Sequence, residues 1–364
     1  MIKALKSYKN NKYTKKSLTI LLCAILISAT GCTDPSSDSN SVNNESSNNT
    51  GNAYTSDYDN GFQKDTIPYI FNDTGYAYSD TDYTVPDGLV TKRDNVTYGS
   101  IDDRISYYSS TIGENKECGV LLPAAYNTNT QYPVMYILHG NGGDHYDWNR
   151  DDSYLVTLCG NMMADGSAVP CIVVMVDMWT APVSLKNNPT IDTQLDAYDE
   201  FYKDLENDLM PFIENHYSVA TGREATAIIG TSQGGTEALV AGFKLIDKIG
   251  FIGALAPCSG VIPIPQLPDG PWNTPVLDSF TIDNPDNTPY YLQLTVGSKD
   301  PWCLESTIYY DSTLNEENIN HSMTIVDELG HEDALWQNGI YNFMKRIFKS
   351  WIEIKLCPIN NLSL

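Results

Sequence analysis

One serine in this sequence has the setting that a nucleophile requires. It lies in Gly230-Thr231-Ser232-Gln233-Gly234, directly after the apolar residues 225–229 (ATAII) and directly before a stretch of helical character. A tight strand-to-helix turn crowds the backbone, so small residues are needed two positions either side of the serine. The following helix directs backbone N–H groups at a developing oxyanion. A chance GxSxG is the alternative, but the flanking elements favour Ser232 as a nucleophile.

A serine needs a base, and in folds with such a turn the histidine follows the serine along the chain. Two of the five histidines do so, His321 and His331. His331 follows the predicted strand 322–326 (SMTIV) and precedes the last predicted helix, so it should lie at the carboxyl edge of the sheet. His321 precedes that strand and should lie at the opposite edge. We therefore predict His331 as the base.

The base needs a carboxylate that holds the correct tautomer and stabilises the imidazolium. Asp300 comes immediately after the apolar strand 291–296 (YLQLTV), which places it at the same sheet edge as Ser232. Its alternative role is that of a simple turn residue. The other candidates lie in a Pro- and Asn-rich loop or on a predicted helix: Asp278, Asp283, Asp286 and Asp311.

A second glycine-rich loop, His139-Gly140-Asn141-Gly142-Gly143, follows the predicted strand 132–138. Glycines let the backbone approach a substrate carbonyl closely. We predict that the backbone N–H groups of Asn141 and Gln233 form an oxyanion hole. His139 is interpreted as an orienting or packing residue, not as the base.

The elements that must position these residues alternate between strand and helix. Short apolar segments without polar alternation are typical of buried parallel strands, and strands joined by helices imply right-handed crossovers. Together with the serine turn, the pattern predicts an α/β-hydrolase fold over residues 86–355, a mostly parallel sheet with helices on both faces. The predicted strands are 132–138, 171–176, 225–229, 251–256, 291–296 and 322–326, and the predicted helices are 200–217 (with a kink or break at Pro211), 236–247 and 334–352.

These motifs together resemble carbohydrate esterase family one, which includes feruloyl and acetylxylan esterases. The resemblance rests on residues 132–148 (YPVMYILHGNGGDHYDW), 229–235 (IGTSQGG), 296–300 (VGSKD) and 330–336 (GHEDALW), and it spans about residues 86–348. Residues 105–126 resemble the family's first hairpin. Residues 177–179 (DMW) depart from the family's usual Pro-Asn, which puts the substrate subsite there in doubt.

The resemblance implies a serine esterase without cofactor or metal, in which Ser232, Asp300 and His331 are the nucleophile, acid and base. It implies a substrate among the acyl esters of plant cell-wall polysaccharide. Acetylxylan esterase, general carboxylesterase and acyltransferase activities are alternatives, and so is a non-catalytic carbohydrate-binding surface protein. Aromatic side chains on loops at the carboxyl edge could stack on a sugar or a cinnamoyl ring; the candidates are Trp148, Trp179, Trp302 and Trp336.

The N-terminal residues predict export. Residues 3–16 carry six lysines and no acid, and an apolar run over 18–29 ends at Cys32. A run of about 12 residues is too short to span a bilayer. Ala29-Thr30-Gly31-Cys32 resembles a bacterial lipobox, with an ordinary signal peptide as the alternative. We predict a lipoprotein signal peptide over 1–31, lipidation at Cys32, a flexible tether over 32–60, an extended lead-in over 61–85 and a tail over 356–364.

The net charge and the cysteine spacing bear on which partners, metal sites and disulfides the chain could have. The formal net charge of −24 argues against nucleic acid and anionic surfaces as partners, so a membrane contact would come through the lipid anchor alone. Six cysteines beyond Cys32 show no CxxC spacing, which argues against a zinc site. Cys258 and Cys303 should lie at the same sheet edge and are a candidate disulfide, with isolated thiols as the alternative. The six are Cys118, Cys159, Cys171, Cys258, Cys303 and Cys357.

Overall fold

The computed structural model describes residues 83–150, 153–267 and 271–349. The predicted leader, tether and tail, together with Cys32, Cys357 and most of the lead-in, lie outside these residues. Tyr83, near the end of the predicted lead-in, is buried, and its hydroxyl lies 2.5 Å from Thr295 Oγ1. In these described ranges no helix has both the length and the apolar character needed to cross a membrane.

Eight strands form one sheet in the order β1-β2-β4-β3-β5-β6-β7-β8. β1 and β2 form an antiparallel hairpin, β2 is antiparallel to β4, and all remaining neighbours are parallel. The α/β fold with a mostly parallel sheet is therefore confirmed. The strands are β1 (Ile101–Ser109), β2 (Glu114–Leu121), β3 (Val134–Leu138), β4 (Ile172–Val176), β5 (Thr226–Thr231), β6 (Phe251–Leu255), β7 (Tyr291–Gly297) and β8 (Ser322–Val326).

The helices cover both faces of the sheet. The α-helices are α1 (Leu155–Ala164), α2 (Ile191–Asp199), α3 (Phe201–Asp204), α4 (Met210–His216), α5 (Gln233–Lys244), α6 (Leu304–Glu316) and α7 (Asp333–Met344). Short 3₁₀ turns lie at His145–Trp148, Val183–Leu185, Arg223–Ala225, Pro271–Asn273 and Pro285–Asn287. The sequence predicted the regions of α3 to α5 and α7, and a helix at Asp311 of α6, but not α1 and α2.

Successive residues of each central strand belong to two different hydrophobic cores. Tyr136 and Leu138 of β3 pack in the core with residues of α2 to α6, whereas Met135 and Ile137 pack in the core with α1 and α7. All five residues of β3, β4 and β6 are buried. Because both faces of the sheet are covered, apolar side chains are favoured at every position, which explains the absence of polar alternation.

The predicted break near Pro211 is replaced by a local change of helix type. A π-helical segment, Leu205–Leu209, joins α3 to α4 without interruption, and Pro211 is the second residue of α4. Proline lacks an N–H and its ring would clash with the carbonyl four residues earlier in a regular α-helix. A wider turn before the proline relieves that clash and keeps the helical chain continuous.

Candidate active site

The serine turn has the backbone geometry that the glycines allow. Ser232 lies between β5 and α5 with φ 56° and ψ −123°, a conformation that non-glycine residues rarely adopt. A Cβ atom on Gly230 would lie 2.1 Å from the Gly234 carbonyl oxygen, and one on Gly234 would lie 2.3 Å from the His139 carbonyl oxygen. Both glycines are therefore required by close backbone contacts around the serine.

Asp300 and His331 meet at the carboxyl edge of the sheet. Asp300 follows β7 and is buried, and His331 lies on the loop between β8 and α7. The Nδ1 atom of His331 is 2.7 Å from Oδ2 of Asp300. The other carboxylate oxygen, Oδ1, accepts the backbone N–H groups of Trp302 and Cys303, each at 2.9 Å. With these bonds in place, Nε2 is the ring nitrogen left to accept a proton.

A second histidine–aspartate pair lies at the opposite edge. His321 precedes β8, is buried, and places Nε2 2.8 Å from Oδ1 of Asp311, a residue of α6. Its Nδ1 is 2.8 Å from the Ile319 carbonyl oxygen. His321 therefore has a structural role, and its position agrees with the sequence argument that separated it from His331.

The Ser232 hydroxyl is close to a thiol. In the described part of the chain its side-chain hydrogen bond is to Sγ of Cys258, at 3.6 Å, and not to His331. Active-site hydrogen bonds in unliganded proteins are often long and tighten only when substrate binds. The hydroxyl must turn towards His331 before a proton can pass between them.

The loop after β3 is held close to the serine. A Cβ atom on Gly140 would be 3.7 Å from the Ser232 Cβ, so the backbone of this loop lies against Ser232. The Gly143 N–H donates to the Gly140 carbonyl at 3.2 Å, and Gly142 has φ 75°, which closes a tight turn with Asn141 at its exposed corner. Gln233 begins α5, where N–H groups have no intrahelical acceptor.

His139 holds this loop in place through hydrogen bonds of its buried imidazole ring. It is fully buried, its Nδ1 lies 2.6 Å from the Gly140 carbonyl oxygen, and its Nε2 accepts the Met178 N–H at 3.1 Å. These two contacts are satisfied together by a neutral imidazole with its proton on Nδ1. His139 therefore joins the loops after β3 and β4.

Tyr198 of α2 is a further residue at this loop, and it was not among the predicted site residues. Its hydroxyl accepts the Gly142 N–H at 3.1 Å. Helix α2 follows a loop rich in proline and asparagine and has few apolar residues, so no local pattern predicted it. Only the packing of α2 over the sheet edge brings Tyr198 to the loop.

The four candidate tryptophans fall into two groups. Trp302 and Trp336 flank His331, with ring centroids 5.0 Å and 4.8 Å from the imidazole and both rings edge-on to it. Trp302 is 71% exposed, whereas Trp336 is partly buried. Trp148 and Trp179 are only 6% and 3% exposed and pack in the two cores. Because both rings are almost completely covered by the protein, a substrate contact by Trp148 or Trp179 stays a prediction.

Cys258 and Cys303 do come together at this edge, as free thiols whose sulfur atoms are 3.1 Å apart. One group of possible metal ligands occurs among the described residues, namely Asp300, Cys303 and His331, with ligand atoms within 4.8 Å of one another. Both oxygens of Asp300 already accept hydrogen bonds, one of them from His331. The arrangement suits proton transfer better than it suits metal coordination.

Comparisons with known proteins show which proteins the chain is similar to. The model of a family described as "Putative esterase" matches residues 109–337. A ferulic acid esterase from Anaeromyces mucronatus, solved without substrate, is 29% identical with a TM-score of 0.67, and the match covers 74% of this chain and 98% of that one. The structure of that esterase with ferulic acid is 28% identical with a TM-score of 0.68, and the match covers 76% of this chain and 99% of that one. A feruloyl esterase module from Clostridium thermocellum, at 17% identity and TM-score 0.54 over 78% of this chain and 97% of that one, shares the fold.

Curated relatives are longer proteins. An endo-1,4-beta-xylanase/feruloyl esterase of Xylanibacter ruminicola is 25% identical over 169 residues, which are 45% of this chain and 22% of the relative. Endo-1,4-beta-xylanase Y of Acetivibrio thermocellus is 24% identical over 159 residues, 41% of this chain and 13% of the relative. The match thus spans less than a quarter of either relative. The chain belongs to the esterase family whose model matches residues 109–337, and it is similar to ferulic acid esterases of carbohydrate esterase family one.

Proposed function

We propose that this esterase removes feruloyl or related acyl groups from plant cell-wall polysaccharide such as xylan, with Ser232 as the nucleophile, His331 as the base and Asp300 as the acid. The observation that carries the proposal is the 2.7 Å contact between His331 Nδ1 and Asp300 Oδ2 beside the strained turn at Ser232. The similarity to feruloyl esterases supports the acyl group.

The reaction divides into two steps through an acyl-enzyme. The Ser232 oxygen attacks the ester carbonyl as its proton passes to His331 Nε2, and the sugar hydroxyl leaves with that proton. Water then attacks the acyl-serine by the same proton path and releases the carboxylic acid. Asp300 holds the Nδ1 proton and stabilises the imidazolium, and the N–H groups of Asn141 and Gln233 hold the oxyanion.

Trp302 supports an aromatic acyl group or a sugar as the ligand beside His331. Its indole is 71% exposed and stands edge-on to the imidazole. Exposed aromatic rings at a binding site contribute stacking area with little loss of conformational freedom. An acetyl group alone would leave most of this ring without a contact.

The direct test is release of ferulate and of acetate from arabinoxylan that carries both esters, with Ser232→Ala as the control. We expect ferulate to be released and the variant to lose on the order of 10⁴- to 10⁶-fold in rate. Acetate release without ferulate would identify an acetylxylan esterase instead. Full activity of purified Ser232→Ala would contradict the mechanism, and polysaccharide binding without turnover would indicate a binding protein.

We also propose that the enzyme is exported and anchored to the cell surface through lipid at Cys32, because of the basic and apolar leader and the lipobox-like 29–32. The test is fractionation in a bacterium with a lipoprotein pathway, comparing the natural chain with Cys32→Ala. We expect the natural chain in the membrane fraction, with lipid mass on its N-terminal peptide, and the variant without that mass. Identical fractionation and no lipid mass would favour an ordinary signal peptide.

A further inference from the structure

Two cysteines face each other beside the nucleophile. Cys258 lies on the loop after β6 and Cys303 immediately precedes α6, and their sulfur atoms are 3.1 Å apart. A disulfide has an S–S length of about 2.05 Å, so an approach of about 1 Å would join them. Both are free thiols in this structure.

The backbone on each side is fixed by bonds that do not involve sulfur. The Cys258 carbonyl accepts the hydroxyls of Tyr310 at 2.8 Å and Thr236 at 3.1 Å. The Cys303 carbonyl accepts the Thr307 hydroxyl at 2.6 Å. The two thiols therefore face each other because of the surrounding fold, which lowers the entropy lost when they are joined.

The two thiols differ in accessibility and acidity. Cys303 is fully buried, whereas Cys258 is partly exposed, as is Ser232. A hydrogen bond from the Cys303 thiol lowers the pKa of Cys258, against the effect of burial. The same contact, together with burial, raises the pKa of Cys303. Cys258 is thus the thiolate that can attack, and Cys303 is the thiol that resolves.

We propose that Cys258 and Cys303 are an oxidisable pair that closes to a disulfide beside the nucleophile. The Cys258 thiolate attacks one sulfur of a small dialkyl disulfide, and the other half leaves as a thiolate. Cys303 then loses its proton and attacks Cys258 Sγ, which expels the second small thiol. The protein gives up two protons and two electrons, and the small disulfide is reduced to two thiols.

The disulfide changes the surroundings of Ser232. In the dithiol state Cys258 Sγ is the hydrogen-bond partner of the Ser232 hydroxyl at 3.6 Å, and its thiolate form places negative charge near the developing oxyanion. In the disulfide state the sulfur has no charge and is drawn towards Cys303. The serine hydroxyl is then free to turn to His331. We expect ester hydrolysis to be about fivefold faster in the disulfide state, the effect of about one net hydrogen bond.

The test uses the purified full chain incubated with glutathione disulfide or with a reducing phosphine, followed by alkylation and peptide mapping without reduction. Oxidation should link the peptides of Cys258 and Cys303 with the loss of two hydrogens. It should also raise the melting temperature by about 5–10 °C. Both responses should disappear in Cys303→Ser and in Cys258→Ser, and both should persist in the control Cys171→Ala, which removes a buried thiol elsewhere.

Two results would overturn the proposal: alkylated Cys258 and Cys303 after oxidation, or a bridge to a different cysteine. Equal rates of p-nitrophenyl acetate hydrolysis by the disulfide and dithiol proteins would overturn the link to the nucleophile. The mapping does not depend on ester hydrolysis, so it separates a failure of this proposal from a failure of the proposed function.

Discussion

The Tyr198 hydroxyl accepts a hydrogen bond from the backbone N–H of Gly142 at 3.1 Å. The same hydroxyl accepts a hydrogen bond from Nε2 of Gln194, one helical turn earlier, at 3.2 Å. The Tyr198 ring also packs edge-on against His139, with centroids 6.0 Å apart. Helix α2 therefore sets the position of the loop after β3, whose backbone lies against Ser232.

Removing the Tyr198 hydroxyl should impair turnover more than binding. Tyr198→Phe keeps the ring packing but leaves the Gly142 N–H without its acceptor, so the loop loses its fixed position. We expect kcat on p-nitrophenyl acetate to fall about five- to tenfold with KM nearly unchanged. Tyr217→Phe, which removes a hydroxyl 3.4 Å from exposed Asp102, is the control and should keep the natural rate. Equal rates in both variants would exclude this role for Tyr198.

The two histidine–aspartate pairs allow a matched comparison. Asp300→Asn should lower kcat on the order of 10³- to 10⁴-fold, because an amide cannot hold the imidazole in the required tautomer or stabilise its cation. Asp311→Asn makes the same chemical change at His321 on the other edge. We expect it to lower the melting temperature, while kcat per folded molecule stays within about twofold of the natural value. If Asp311→Asn were the inactive variant, the acid would have been wrongly assigned.

Trp302 and Trp336 should differ in what they contribute. Trp302 is 71% exposed, so Trp302→Ala should change stability little and raise KM for a feruloyl ester several-fold, with a smaller effect on an acetyl ester. Trp336 packs against both hydrophobic cores, so Trp336→Ala should also lower the unfolding free energy, by about 2 kcal/mol or more. Steady-state kinetics on the two esters and urea unfolding measure the difference. An equal loss on both esters in Trp302→Ala would contradict an aromatic acyl subsite.

Glu237 should make stability depend on pH. Burial, reinforced by the negative charge of Asp199, raises the pKa of Glu237 to about 8, against the opposing hydrogen bond from Gln233 Nε2 at 2.9 Å. The folded protein keeps this proton up to about pH 8, whereas the unfolded chain releases it near pH ~4.3. The unfolded state then binds fewer protons in that range, so the unfolding free energy falls as pH rises and levels off above about 8.

Glu237→Gln keeps an acceptor for Gln233 and removes the charge. We expect the variant to be more stable than the natural protein at pH ~8.5, by on the order of 2 kcal/mol, and to differ little at pH ~5. Asp199, whose pKa burial and neighbouring acids raise to about 7, adds a slope of the same sign in both proteins. Urea unfolding at the two pH values is the measurement, with exposed Glu214→Gln as the control. Parallel curves for natural protein and Glu237→Gln would refute the prediction.

Much of the fold could be predicted because it depends on local patterns. Strands buried on both faces are apolar throughout, and β3 and β4 were predicted within two residues of their observed bounds. The serine turn was recognisable because two close backbone contacts exclude every side chain at Gly230 and Gly234. Helix α2 was not predicted, because its residues contact loops that are distant in the chain. Such contacts produce no periodic pattern of apolar residues in the sequence.

The sequence by itself determined the alternation of strand and helix and the serine turn, because both depend on residues close in the chain. It also determined the order of Ser232, Asp300 and His331. Tertiary structure alone decided which side chains from distant parts of the chain come into contact. It paired His321 with Asp311, buried Trp148 and Trp179 while exposing Trp302, and brought Tyr198 to Gly142. The physical reason is that contacts between residues distant in the chain depend on how strands are ordered in the sheet and how helices pack on it. Neither is recorded in the local spacing of residue types.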